Sequence, residues 1–184
     1  DAYLDDVWVR YNRSEGLYIQ LNMHVLNEFV SGNILYGGVG RSFSRNKYSG
    51  IIGIEQRLFH NNFQFYLERY DKSRTDDTWR VNDKLNSLAA LLIHEDFLDW
   101  YHTDGIQGGI NINLPFSINA NLNYTDETQA RMNTVASWSL FGSNKDFRGF
   151  FPIQEGNDVN YKWEVSIGHP YQWNYNSSFT SYLK

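Results

Sequence analysis

Gly105–Tyr124, GIQGGININLPFSINANLNY, alternates without a break on both sides of Pro115-Phe116-Ser117. Ile106, Gly108, Ile110, Ile112 and Leu114 fall on one face of an extended chain, with Gln107, Gly109, Asn111 and Asn113 on the other. Ile118, Ala120, Leu122 and Tyr124 then repeat the apolar face against Asn119, Asn121 and Asn123. Successive side chains of a strand point to opposite sides, so the stretch predicts a β-hairpin with one apolar face and one face of amides and glycine. Each arm runs about 7 to 10 residues, close to the roughly 9 to 11 that a tilted strand needs to cross a bilayer. Two surroundings suit it. In a membrane barrel the apolar face meets lipid and Asn111, Asn113, Asn119, Asn121 and Asn123 line a wet lumen; in a soluble barrel the apolar face turns inward.

The same grammar extends outward from the hairpin. Leu17, Ile19, Leu21, Met23 and Val25 alternate with Tyr18, Gln20, Asn22 and His24. A glycine-rich strand follows in ILYGGVGRSF, where Gly37, Gly38 and Gly40 suit sharp curvature or close backbone approach. Tyr48 to Leu58 and Phe63 to Leu67 give two more strands, and Glu55, Arg57 and Glu68 on their polar face are expected to form an ion-pair network if that face turns inward. Val159 to Ile167 alternates cleanly, Trp173 to Leu183 more weakly, and Thr134 to Phe141 is a further candidate strand. Residues 1–16 read as a polar and aromatic lead-in. Between Asp71 and Asp104 alternation is lost, and the Leu- and Ala-rich KLNSLAALLIHEDFLDWY predicts a helix from Lys84 to Trp100, with a strand through Leu88 to His94 as the alternative. Glu95, Asp96 and Asp99 near its C-terminus oppose the helix dipole, so it is expected to end early. The count is about eight strands with one short helical excursion, in a single domain over residues 1–184. Short turns alternate with long connections, as in outer-membrane barrels.

Composition narrows the class. The net charge is −5 and no basic stripe accompanies the 17% aromatic residues, which argues against nucleic acid as a partner. Cysteine is absent, so no disulfide framework or thiolate metal site exists in these residues. No run of about 18 apolar residues occurs, which excludes a transmembrane helix but says nothing against barrel strands. With no charged-then-apolar leader at Asp1, an outer-membrane reading expects an export signal that was removed or lies outside these residues.

The opening YNRSEGLYIQLN, through Asn12, Arg13, Glu15, Gly16 and Leu17, resembles the N-R-x-E-G-L start of the barrel in bacterial surface-antigen proteins, the superfamily that includes BamA and TamA and the barrels attached to patatin-like domains. LYGGVGRSFSRNKYSGIIGIEQRL looks like the next hairpin of those barrels, and NSLAALLIHEDFLDWYHTDG like their interruption before a strand. Phe147-Arg148-Gly149-Phe150 looks like the R-G-F/Y tetrad that BamA-like barrels carry on a loop folded into the lumen, which makes Arg148 the implied loop anchor, although the sequence around it departs from the family's. Family barrels hold about twice the strands counted here, so the chain reads as a complete small barrel, a reduced relative or the N-terminal half of a larger one.

The resemblance implies an antiparallel transmembrane β-barrel in the bacterial outer membrane, engaged in protein insertion or translocation. Its partners are then the lipid bilayer and client or partner membrane proteins, with no enzymatic activity and no cofactor. The alternatives are a soluble β-barrel holding a small apolar ligand against Ile106, Ile110 and Leu122, and an outer-membrane lipid-modifying enzyme built on a Ser and one of His24, His60, His94, His102 and His169. No G-x-S-x-G elbow selects among these histidines. Glu95 and Asp99 share a face if the helix continues that far, where two carboxylates would meet a hard cation such as calcium or magnesium. Tyr124, Trp138, Trp163 and Trp173 suit either interfacial girdles or a packed core.

Overall fold

The computed structural model describes residues 2–27, 32–59, 62–115, 118–142, 146–150, 155–168, 174–177 and 180–181. It is an all-β chain with one helix. Eight long strands, β1 Ala2–Asn12, β2 Gly16–Asn27, β3 Asn33–Ser42, β4 Lys47–Leu58, β5 Phe63–Arg74, β6 Tyr101–Leu114, β7 Ile118–Arg131 and β8 Gly156–Gly168, form one antiparallel sheet in sequence order. Two short strands, β9 Asn174–Ser177 and β10 Thr180–Ser181, both pair with β8. The expected closure does not occur: among the described residues β1 pairs with β2 alone, and the sheet is open.

The central hairpin is β6–β7, with Ile110 opposite Leu122 and Asn111 opposite Asn121. The expected lead-in is instead strand β1. A register shift between Leu4 and Asp6 interrupts its alternation, which hides it from a period-2 reading. Thr134–Phe141 is not a strand. Its N–H groups go elsewhere: Val135 and Ala136 donate to the Arg13 carbonyl at 2.8 and 3.0 Å, and Leu140 and Phe141 to the carbonyls of Leu91 and Leu92.

The helix, α1 Asp83–Ile93, ends well before Trp100, early, as the acidic residues beyond it lead one to expect. Asn82 caps its start, accepting from the N–H groups of Lys84 and Leu85, and His94 ends it by turning left-handed at φ 62°. Asp96 is then drawn out of helical geometry by Asn86, whose amide Nδ2 donates to its carboxylate at 2.8 Å.

Strand register sorts the side chains into two faces. Leu21, Val39, Ile52, Ile54, Leu67, Ile106 and Leu122 share one, and it is bare: Val39 is 63%, Ile52 59%, Leu67 58% and Leu122 50% exposed. The opposite face carries Tyr18, Gln20, Tyr36, Glu68, Tyr70, Gln107, Asn123 and Glu127, much of it buried. Polarity is therefore reversed relative to a soluble half-buried sheet, whose apolar side is the covered one.

The polar side is concave. Tyr36 lies over Gly53 on the next strand to donate to Glu68 on the one beyond, at 3.0 Å. Tyr66 lies over Gly109 to reach Asn123 at 2.6 Å, and Tyr70 crosses Gly105 to reach Glu127. Tyr18 leans on Gly40 to meet Ser49 at 2.6 Å. Strands two apart are about 9–10 Å apart on a flat sheet, so bonds over an intervening strand draw the sheet into a curve around its polar face.

Connections fall alternately at the two ends. The Arg13–Glu15 turn, the 43–46 turn and the two long excursions, 75–100 and 132–155, share one end.

Candidate functional site: the polar face and its cap

At that end the β1–β2 turn is fully covered. Asn12 Oδ1 accepts from the N–H groups of Ser14 and Glu15 at 2.9 and 2.8 Å, a local turn that asparagine is suited to make. Its Nδ2 donates to Glu15 at 2.7 Å, and Arg10 adds a second donor set to the same carboxylate at 2.9 and 3.1 Å. Gly16 sits at φ 66°, where a Cβ would also meet Ser44 Oγ at 1.9 Å, so glycine is required twice over. Asn12, Glu15 and Gly16 of the N-R-S-E-G run therefore each have their own physical reason.

Arg13 is the centre of the cap. It has no exposed surface, and its guanidinium donates to the carbonyls of Arg148 at 2.9 Å and Leu98 at 3.2 Å and pairs with the Asp99 carboxylate. Its ring-facing side stacks on Phe150, 3.9 Å from the centroid, and its backbone N–H donates to Asp96 at 2.9 Å. Burial pushes this guanidinium below its ordinary value, and the carboxylates of Asp96 and Asp99 pull it back up. Beneath it Leu98, Trp100 and Met132 form a small apolar core joined by Val81 and Phe150. Burial likewise holds the nearby Asp83 carboxyl above the usual range, against the lowering effect of Arg10.

Arg148 enters the same cluster from the second excursion. Nε donates to the Asp96 carbonyl at 2.8 Å, and Nη2 donates to the Phe97 carbonyl at 2.6 Å and pairs with Asp99 at 3.2 Å. The two arginines thus grip one carboxylate from two separate segments. Glu95 and Asp99 do not share a helix face, because α1 stops at Ile93 and both lie beyond it. With Asp99 held by two guanidiniums, its oxygens already have strong partners, and no metal-binding group of three forms among the described residues.

The five asparagines all lie on the polar face of β6–β7. Asn123 accepts from Tyr66, Asn111 donates to Gln64 at 3.3 Å, and Asn113 and Asn119 stand exposed opposite one another near the far end. The expected Glu55–Arg57–Glu68 network divides: Arg57 pairs with Glu55, whereas Glu68 pairs with Lys72 at 3.2 Å and takes bonds from Tyr36 and Gln107.

Of the histidines, His60 and His169 lie outside the described residues. His24 stands 3.7 Å from Asp5, and His102 3.5 Å from Asp71. His94 Nδ1 meets Ser139 Oγ at 2.9 Å, beneath the Phe147 ring at 3.7 Å. Both are buried, and the pair ties the helix end to the second excursion. Ser139 Oγ also accepts from the Gly142 N–H at 3.1 Å, so the hydroxyl is committed to the loop.

The Tyr-over-Gly rows and the Arg13 cluster were the features that sequence reasoning missed. The glycines gave a partial signal, but their tyrosine partners sit on other strands and depend on register. No family model matches the chain, and neither a curated protein nor a solved structure matches it.

Proposed function

We propose that the chain builds the wall of a bacterial outer-membrane β-barrel of the surface-antigen kind, acting in protein insertion or translocation, with a structural rather than a catalytic role. The observation that carries the membrane reading is the reversed polarity of the sheet: a bare apolar face and a curved, hydrogen-bonded polar one. In lipid that distribution is the stable one, because the apolar face needs no second layer and the polar face lines a wet interior. From Ile106 to Leu114 the strand rises about 27 Å, or about 20 Å of height after a tilt of roughly 40°, near the ~25 Å apolar band of such barrels. A ligand-binding soluble barrel needs Ile106 and Leu122 to line an enclosed pocket, and their exposure supports the lipid reading instead.

The translocation role is supported by the open sheet and by the buried N-R-S-E-G turn that carries the resemblance. An unpaired strand edge in lipid leaves backbone groups unsatisfied at several kcal/mol each, so β1 calls for a pairing strand. A client strand adding there would be held through its backbone, whatever its side chains. Near the cap this edge is already engaged, since the Tyr11 N–H donates to Ser87 Oγ on α1 at 3.2 Å.

The absence of cysteine allows a direct test. Single cysteines at Ile110 and Asn111, in protein reconstituted into vesicles, are expected to differ at least tenfold in labelling by a water-soluble maleimide, Ile110→Cys being protected and Asn111→Cys labelled. Equal labelling of the two would sink the reading.

A further inference from the structure

The geometry points to a phospholipid site on the apolar face, selective for a headgroup that carries both a phosphate and a primary ammonium, as in phosphatidylethanolamine. It rests on the membrane reading above and names the lipid.

The site is a trough of ≈730 Å³ across β2, β3 and β4. Two adjacent cross-strand rows make it: Leu21–Val39–Gly50–Asp71–Asp104 and Met23–Gly37–Ile52–Arg69–Ile106. Each row has a glycine where its neighbours carry larger side chains, so the floor drops between Leu21, Met23, Val39 and Ile52. The trough is apolar along this length and becomes charged only at its β5–β6 end, where Arg69, Asp71 and Asp104 stand together. An apolar channel with charge at one end matches an acyl chain with its headgroup.

The charges select the headgroup. Arg69 donates to Asp104 at 2.5 Å and to the carbonyls of Tyr70 and Gly105 at 3.0 and 2.8 Å. These bonds take three of the five guanidinium N–H groups, leaving two for a phosphate. Asp71 has the His102 imidazole at 3.5 Å, longer than a hydrogen bond. Arg69 is matched by Asp104, which leaves the Asp71 carboxylate without a hydrogen-bond donor among the described residues, although Arg45 and Lys47 line the same hollow. A purely anionic lipid satisfies Arg69 and leaves Asp71 without a donor. A lipid with a phosphate and a primary ammonium satisfies both, the ammonium donating to Asp71. A quaternary ammonium has no N–H to donate.

The test uses the whole chain folded in uncharged detergent and titrated with phosphatidylethanolamine, phosphatidylglycerol or phosphatidylcholine of identical acyl chains, with retained lipid read by native mass spectrometry. Phosphatidylethanolamine is expected to bind on the order of tenfold more tightly than the other two. Asp71→Asn abolishes that preference, and Gly50→Leu lowers retention of all three by filling the trough. A Cβ at Gly50 meets only the Gly38 carbonyl, at 3.7 Å, an ordinary van der Waals contact. Equal retention of the three lipids, or a preference that survives Asp71→Asn, overturns the lipid assignment alone. A chain that does not fold in detergent overturns the membrane reading and this one with it.

Discussion

Arg13→Ala is expected to cost about 3–5 kcal/mol and to release the cap from the sheet, because it leaves buried acceptors and half of an ion pair without their partner. The guanidinium touches several parts at once: the carbonyls of Leu98 and Arg148, the Asp99 carboxylate and the Phe150 ring. Asp99 keeps Arg148 in the variant, so the loss concentrates at the turn. Tryptic cleavage after Arg131 and Arg148 is the sensitive readout, since the first borders the second excursion and the other lies within it. The variant should be cut faster there while the far-ultraviolet β signal of the sheet persists. Cleavage at the parental rate would show that Arg13 is dispensable to the cap. Arg13→Lys restores the charge without the planar fork and is expected to recover only part of the loss.

Gly105→Val is expected to be as damaging, for a reason in the backbone. A Cβ at Gly105 would lie 2.5 Å from the Asp126 carbonyl oxygen and 2.5 and 2.7 Å from the Glu127 Cβ and Cα, so β6 and β7 must separate where Tyr70 crosses to Glu127. Overpacking of this kind costs about 1–3 kcal/mol, and the bond to a charged acceptor adds about 1.5–3 kcal/mol when it is lost. Gly108→Val, three residues along and on the bare face, is the control. Its Cβ would come no closer than 3.2 Å to the Tyr66 carbonyl, and a loss under about 1 kcal/mol is expected. Denaturant midpoints of the two variants, measured side by side, check the contrast. Equal midpoints would mean that the Tyr–Gly rows contribute nothing particular to the curve of the sheet.

The sheet itself was legible because β6 and β7 alternate without a fault, and period-2 alternation depends only on local order in the chain. Strand β1 escaped because Asp5 falls at the register shift between Leu4 and Asp6 and throws the apolar residues out of phase. Thr134–Phe141 alternates well enough to suggest a strand, yet its N–H groups are taken by Arg13, Leu91 and Leu92, partners that only the folded chain brings near. The early end of the helix was legible in its acidic C-terminal half, but the exact stop was not, because the capture of Asp96 by Asn86 and by the Arg13 N–H is tertiary. At the candidate site, glycine frequency hinted at close approach, but which tyrosine covers which glycine is decided by register across three strands. Arg13 was visible only as a letter in a short run. Its complete burial follows from two excursions folding over one turn.

The most direct test of the central claim, that the bare apolar face is made for lipid, is whether the purified chain's β-structure depends on detergent. It is read by circular dichroism and by the migration of unboiled and boiled samples on a denaturing gel. The account predicts β-structure in micelles and not in plain buffer, with an unboiled band that migrates differently from the boiled one. Stable β-structure in plain buffer, with no heat-dependent shift, would contradict it.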